Sequence, residues 1–426
     1  MTRPEYDVGI VGASIAGCTA ATLFARGGLR VALLESRADP NAYKRVCTHF
    51  IQASATPTIE RLGVAQAIEA AGGIRNGIDI WTRWGWILRE GNGGGRYPGY
   101  GYNIRRETLD PMLRRLAAST PGVDLLPGHA AERLFVDGGR IVGVGARRGD
   151  ETTRDVNARL VVAADGRQSR IAELALVPPR VKAHNRFGYF AYYRGMSLRS
   201  GTKSQMWFLE PDIAYTFPND GGLTLLACMP TKDKLAGFKA NVETAFELMF
   251  RRLPDGPSLA HAERASGFLG MVEMPNLSRR PTLPGLAFIG DAAVATDPLW
   301  GVGCGWAFQS AEWLVDCVGD ALATDRLLDR GLARYARRHR AALAAHHFLI
   351  CDYATGRPYN ALERIMYSAA ARDPAAARHF QEFGARNISV GQFLSPRALA
   401  RALWVNAGHW WRSRRLKPTG RAAQRA

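Results

Sequence analysis

The sequence is poor in cysteine, poor in acid relative to base, and without a long apolar run, and each shortage narrows what the chain can be. Its six cysteines, Cys18, Cys47, Cys228, Cys304, Cys317 and Cys351, are spread through 426 residues with no CxxC or comparable spacing. That excludes a disulfide framework and a zinc ribbon, and it predicts small reduced thiols in a cytoplasmic setting. No run approaches the ~18–20 apolar residues that a membrane-spanning helix needs. Nor does the chain open with a basic-then-apolar leader, so no signal peptide is expected. Lys and Arg total 56 against 38 Asp and Glu, a formal net charge of +18. The excess is scattered until the C-terminus, where Arg412, Arg414, Arg415, Lys417, Arg421 and Arg425 follow Trp404, Trp410 and Trp411. A basic, tryptophan-bearing tail suits an acidic partner or peripheral binding to a membrane surface, or is simply solvated. Without a nucleic-acid motif, bulk charge gives only non-specific attraction, so no specific nucleic acid is expected. His346 and His347 are adjacent and cannot share a helix face. With Asp352 and His379 they make no metal-binding pattern, and exposed or helix-capping histidines are the expectation.

What is present begins with a phosphate-binding turn. Tyr6 to Val11 reads as an apolar strand, followed by Gly12-Ala13-Ser14-Ile15-Ala16-Gly17, a small-residue helix to about Arg26, and Gly27-Gly28 to end it. A second strand, Arg30 to Leu34, closes with Glu35 and Ser36. This is the strand–turn–helix–strand of a dinucleotide site. Gly12 permits the tight turn and Gly17 a close approach of the helix. The helix N-terminus, at Ser14, Ile15 and Ala16, offers N–H groups and a positive dipole end to a pyrophosphate. Glu35 stands where a ribose-binding carboxylate belongs. Ser14 replaces the central glycine of the fingerprint; it is small and can itself donate to phosphate. This unit alone does not separate NAD from FAD.

Three distant segments do. Arg106-Glu107-Thr108-Leu109-Asp110 follows a short strand; the strand Leu160 to Ala164 ends in Asp165-Gly166-Arg167-Gln168-Ser169; and Leu286 to Ile289 leads into Gly290-Asp291-Ala292-Ala293, then Asp297-Pro298 and Gly301-Val302-Gly303-Cys304-Gly305. In this order they resemble the R-x-x-L-D, ADG-x-x-S and GDAA…P-x-x-G-x-G elements of the class A flavin monooxygenase and geranylgeranyl reductase superfamily. The resemblance runs over roughly residues 5–325. It implies FAD as cofactor, with Asp291 on the ribityl chain, Arg106 near the pyrophosphate, and further contacts from Asp165, Gly290, Pro298, Gly301, Gly303 and Cys304. Arg45 lies where relatives place a flavin- or phosphate-contacting residue, or is a surface arginine.

The fold expected is α/β: a Rossmann-like FAD-binding domain (GR2-type flavoprotein fold) with an inserted antiparallel β-sheet substrate domain and a C-terminal helical region. The FAD-binding domain would take residues 1–180, interrupted by a substrate-side segment at about 75–104, and resume at 276–325. The substrate sheet would occupy 181–275, and helices with the basic tail 326–426. Within the sheet, Gln205–Leu209, Ile213–Phe217 and Leu223–Cys228 alternate as strands, with Asn219-Asp220-Gly221-Gly222 as a turn. Tyr189 and Phe190 fall on opposite faces, so one could pack the sheet while the other lines an apolar pocket. Trp81, Trp84 and Trp86 sit in WTRWGW, which lacks the Ile-Pro of a halogenase element, so halogenase chemistry is not carried over.

The resemblance implies a monooxygenase that inserts one atom of O2 into a small apolar or aromatic substrate through a reduced flavin and its C4a-hydroperoxide. A reductase of isoprenoid-like double bonds and a non-redox flavin-binding protein are the alternatives. No second glycine-rich fingerprint is present, so NADH or NADPH would act as a transient reductant, or another protein would supply electrons. Without a CxxC a redox dithiol is not expected. No side chain is an assured acid or base; His49 is the one candidate, against a structural role.

Overall fold

Tyr6–Val11 is apolar at nearly every position because it is the inner strand of a parallel sheet, covered on both faces. The computed structural model describes residues 4–89, 99–149 and 153–415. Arg154–Ala163 and Val31–Glu35 flank the first strand, and Leu286–Phe288 and Val123–Pro127 lie outside them, all parallel. Thr282–Leu283 closes one edge antiparallel. The long strand Arg154–Ala163 also leaves the layer to pair with Arg140–Arg148, which pairs with His129–Asp137 in an antiparallel meander. Helix Ile15–Arg26 is buried from Ile15 to Ala25, wedged against Arg106–Ser119 and Gly303–Val318.

The second sheet runs in the order Glu263–Arg264, Gly188–Arg194, Thr224–Met229, Ile213–Pro218, Ser204–Phe208, Ile78–Thr82, Gly85–Ile87. It is antiparallel except where Ser204–Phe208 meets Ile78–Thr82. Its three inner strands are buried at every residue. One face carries Phe187, Ala191, Tyr193, Trp207 and Leu226 against Phe246 and Phe250 of helix Val242–Arg251. The other carries Phe190, Met206, Tyr215 and Leu225 toward the nucleotide domain. Trp81 and Trp86 are cross-strand partners on the outer face, and Trp84 stacks on Tyr359 at 6.0 Å. All three tryptophans are therefore packing residues.

The C-terminal region is helical: Asp325–Tyr353, Ala361–Ala370, Pro374–Gly384, Val390–Phe393 and Pro396–Arg415. Asp373 caps its helix by accepting from the Ala376 N–H at 2.8 Å. The histidines differ from expectation. His346 is buried, stacked on Phe383 at 5.3 Å and in contact with Arg386 at 3.1 Å. His379 packs on Phe393. The reason is that the helices at 374–393 fold back over Asp325–Tyr353, covering a face that periodicity alone leaves undecided. Burial and the Arg386 charge push His346 down to about 3. Among the described residues no helix is long and apolar enough to cross a membrane, and no group of three or more His, Cys, Asp or Glu gathers as metal ligands. Of the basic tail, Lys417, Arg421 and Arg425 lie outside the described residues, as do 90–98 of the segment at 75–104.

Candidate cofactor and substrate cavity

The glycine turn is held by contacts that leave no room for a side chain. Gly12 has φ +105°, and a Cβ there would lie 2.5 Å from the Ala164 carbonyl oxygen. A Cβ on Gly17 would lie 1.8 Å from the Gly12 carbonyl oxygen, so Gly17 is required by its own turn more than by the sheet. Ser14 is the N-cap of Ile15–Arg26 but does not cap with its side chain. Its Oγ accepts instead from Arg106 Nη2 at 2.5 Å. The first-turn N–H groups of this helix therefore have no partner within it, and Ser14, Ile15 and Ala16 stand in the wall of a cavity of about 730 Å³.

Glu35 lines the same cavity from the end of its strand. Its Oε2 accepts from the Ala13 N–H at 2.9 Å, and its Oε1 from the Arg37 N–H and Nε at 3.1 and 3.0 Å. Burial pushes this carboxyl up, but the Arg37 and Ala13 backbone N–H groups and the Arg37 side chain outweigh it and hold it below the usual range. Ser36 continues the wall.

Arg106 ties the turn to the middle of the cavity. It is buried, and its Nε and Nη2 pair with Asp110 at 2.7 and 2.9 Å. Asp110 also accepts the Lys44 backbone N–H at 3.0 Å, so one carboxylate fixes both the arginine and the loop after Glu35. Arg114 completes the scaffold, donating to the carbonyls of Pro40, Ala42 and Ala13. Lys44, half exposed, reaches Asp291 at 2.8 Å. Burial raises the Asp291 carboxyl, and the charges of Lys44, Arg167 and Arg106 more than reverse it. Arg45, the candidate from sequence, is exposed and outside the cavity wall, whereas Lys44 is in it. His49 is also outside the wall. Its Nδ1 accepts the Arg106 N–H at 3.0 Å, which makes Nε2 the protonated nitrogen facing the Tyr192 hydroxyl. Its φ is +61°, and its role here is to pin the start of Arg106–Ser119.

At the far end the cavity passes under Gly188 and Phe190 of the second sheet and meets the start of helix Gly303–Val318. Asp291, Pro298, Gly301, Gly303 and Cys304 all line it. Gly290 does not; its N–H donates to Ser310 Oγ at 2.9 Å and sets the turn that presents Asp291. Asp297 caps the next turn through the Leu299 N–H at 3.0 Å, which fixes Pro298 and Gly301. Asp165 lines the cavity with Oδ2 accepting from the Ile171 N–H and Oδ1 buried without a protein partner; burial pushes its carboxyl up. The rest of this end is apolar: Val46, Phe50, Phe190, Met229, Met271 and Met274.

An acid and a helix N-terminus at one end, a second helix N-terminus at the other, and a carboxylate oxygen of Asp165 without a protein partner in the same wall fit an extended dinucleotide with a ring system. The profile of the FAD binding domain family matches residues 5–208. The match covers just under half of the chain, the part that carries the glycine turn, Glu35 and Arg106. Among curated proteins it is similar to the digeranylgeranylglycerophospholipid reductase of Picrophilus torridus, 26% identical over 339 residues, 78% of this chain and 82% of the relative. Among solved structures it resembles a flavoprotein/dehydrogenase from Cytophaga hutchinsonii at 15% identity, TM-score 0.77, over 95% of this chain and 100% of that one. It also resembles the flavin-dependent brominase Bmp2 at 18% identity, TM-score 0.76, over 96% and 99%. At these identities the two structures speak for the fold alone.

For FAD, Glu35 would take the ribose hydroxyls, and the Ser14–Ala16 turn with Arg106 the pyrophosphate. Asp291 with Lys44 would hold the ribityl chain, and the N-terminus of Gly303–Val318 the ring edge. The fingerprint gave no sign of Lys44 or Arg114 as supports, because they act across the chain. For Lys44 the only available signal was its place beside Arg45.

Proposed function

We propose that this flavoprotein reduces carbon–carbon double bonds in an apolar, isoprenoid-like substrate. The observation that carries the reading is the apolar far end of the cavity. Phe190, Met229, Met271 and Met274 enclose space beside the Gly301–Cys304 turn, and methionines adapt to a flexible hydrocarbon. The similarity to the Picrophilus torridus lipid reductase over most of the chain supports it. FAD, when bound, supplies a two-electron hydride chemistry that the side chains do not have. The protein's part is to orient and to exclude water. The start of Gly303–Val318 directs a positive dipole end at the cavity, which favours the anionic reduced state of a bound cofactor. Apolar walls keep solvent from the substrate, and the only protons on the wall between Val46 and Phe50 come from Thr48 and Cys47. NADH or NADPH would deliver electrons by visiting transiently.

Oxygen insertion from O2 is the second reading, favoured by Phe50 and Phe190, whose rings suit a planar aromatic in the same space. One experiment separates the two. Enzyme reduced with NADPH or dithionite is given a geranylgeranyl lipid without oxygen, and the product is weighed. A gain of two hydrogens per double bond under anaerobic conditions is expected. No anaerobic product, with gain of one oxygen atom from labelled O2 in air, would overturn the reductase reading in favour of the second.

A lipid substrate would be met at a bilayer, and the last helix suits that. Leu403, Trp404, Trp410 and Trp411 are exposed and recur at a seven-residue spacing, and Arg414 lies 3.8 Å over the Trp410 ring. With the chain's positive charge, this favours an anionic membrane surface as partner.

A further inference from the structure

We propose that Cys47 and Cys304 form a reversible disulfide, a two-electron store built into the wall of the FAD cavity. The two residues stand 257 positions apart, and the absence of a CxxC pattern hid them from a reading by spacing. The fold brings their sulfurs to 3.7 Å, and both line the cavity beside the Gly301–Gly303 turn. A disulfide bond is about 2.05 Å long, so closing it asks for an approach of under about 2 Å, within the reach of side-chain rotation. The two sites are also unlike in a useful way. Cys304 lies in the first turn of Gly303–Val318, and Cys47 lies in a loop, where its sulfur accepts the His49 N–H at 3.3 Å.

The charges around the pair divide the labour. The Cys304 S–H donated to Cys47 pulls the Cys47 thiol well below the ordinary range against the opposing effect of burial, and His49 and the Arg106 guanidinium add to the pull. The same shared proton, with burial, pushes Cys304 up. Cys47 is thus the more acidic thiol of the two, the asymmetry that thiol–disulfide chemistry uses. The remaining cysteines form an internal control. Cys18 and Cys228 are buried and pushed up by burial, and Cys351 is pushed up to about 11.

The step balances with the cofactor the family supplies. Both S–H protons are given up, one S–S bond forms, and two electrons leave the sulfurs. Oxidised FAD, when bound, would be the two-electron acceptor, taking up both electrons and one proton, and the second proton would go to solvent. The reverse returns the electrons. This holds for either reaction proposed above and does not rest on the choice between them.

The test uses the full-length holoprotein and, separately, the apoprotein. Each is equilibrated in reduced and oxidised glutathione at a series of ratios, quenched in acid, alkylated, digested without reduction and analysed by mass spectrometry. The expected result is one linked peptide, Cys47 to Cys304, that rises with the oxidised fraction while Cys18, Cys228 and Cys317 stay alkylatable on unfolding. Reductive titration gives a second readout. The oxidised wild type is expected to take up about twice as many electrons per flavin as Cys304→Ser or Cys47→Ser, because a disulfide holds two electrons as the flavin does. Full alkylation of both cysteines at every ratio, a linkage to any other cysteine, or equal electron uptake by wild type and both variants would overturn the proposal.

Discussion

The two ends of the cavity are built in opposite ways. The Glu35 end is anchored on residues 11–37, one strand–turn–helix–strand whose geometry is set by neighbours in sequence, with 129–131 beside it. The Cys304 end is assembled from pieces near 44–50, 188–190, 229, 271–274 and 296–304, which meet only when both sheets are in place. The first end depends on atoms that cannot move, such as the Gly12 carbonyl beneath Gly17. The second depends on side chains that can repack. A local end should fail abruptly when one residue changes, whereas an assembled end should degrade by degrees.

The sharpest way to break this contrast is Gly17→Val. The added carbon would fall 1.8 Å from backbone, which cannot swing aside, so the turn must open. We expect purified protein with essentially no bound flavin, read from its visible absorbance, and more than about 100-fold weaker FAD binding. This follows from the loss of the N–H cradle as a unit. Retention of full flavin would remove the argument that covalent geometry governs this end. Next comes Arg106→Met, which leaves Asp110, wholly buried, without its cation. Breaking one side of a buried pair costs about 3–5 kcal/mol. Denaturant unfolding of the apoprotein should show it, and Arg106→Met with Asp110→Asn should recover part of the loss.

The contrast also explains what was legible before the structure. The glycine turn, Glu35 and the strand alternation are encoded at short range, and the Asn219–Gly222 turn falls between Ile213–Pro218 and Thr224–Met229. Alternation also separates the faces of Gly188–Arg194. Tyr189 packs with Phe187 and Phe238, and Phe190 enters the cavity wall. Lys44 in place of Arg45, the Arg114 brace, the burial of His346 and the meeting of Cys47 with Cys304 were not legible. Each depends on which distant segment arrives opposite, and no local period records that. Cys47 shows the point most plainly: by spacing it is an isolated cysteine, and in the fold it has a sulfur neighbour.

A finer probe of the local end is Glu35→Gln, which keeps the shape and removes the charge. Hydrogen bonds to a charged group are worth about 1.5–3 kcal/mol, so FAD affinity by fluorescence titration should fall roughly tenfold or somewhat more. The pH dependence has a definite sign. The folded carboxyl lies below its unfolded value of about 4.3, so its contribution to stability is fully present above that pH. It is lost as pH falls through the lower folded value. The wild type should therefore lose stability more steeply than Glu35→Gln on acidification below about pH 4.3, measured by unfolding of the apoprotein. Parallel curves would mean that the Ala13 and Arg37 contacts are dispensable.

The smallest effects are expected from a neighbouring pair, Lys44→Ala and Arg45→Ala. Lys44 is half exposed in its pair with Asp291, so its removal should cost at most about 1 kcal/mol of stability. FAD affinity should fall only a few-fold, because Arg167 and Arg106 still act on the same carboxylate. Arg45 is exposed and outside the cavity wall, and Arg45→Ala should change stability by within about 0.5 kcal/mol and leave FAD affinity unchanged. Flavin titration of both variants and the wild type gives the ordering directly. If Arg45→Ala proved the more damaging, the loop at 43–48 would have to turn over when the cofactor binds, and the assembled end would be completed by its ligand. If the order holds, the packing of Lys44 against Asp291 already decides which of two adjacent cations serves the site, at a position where sequence alone favoured the other.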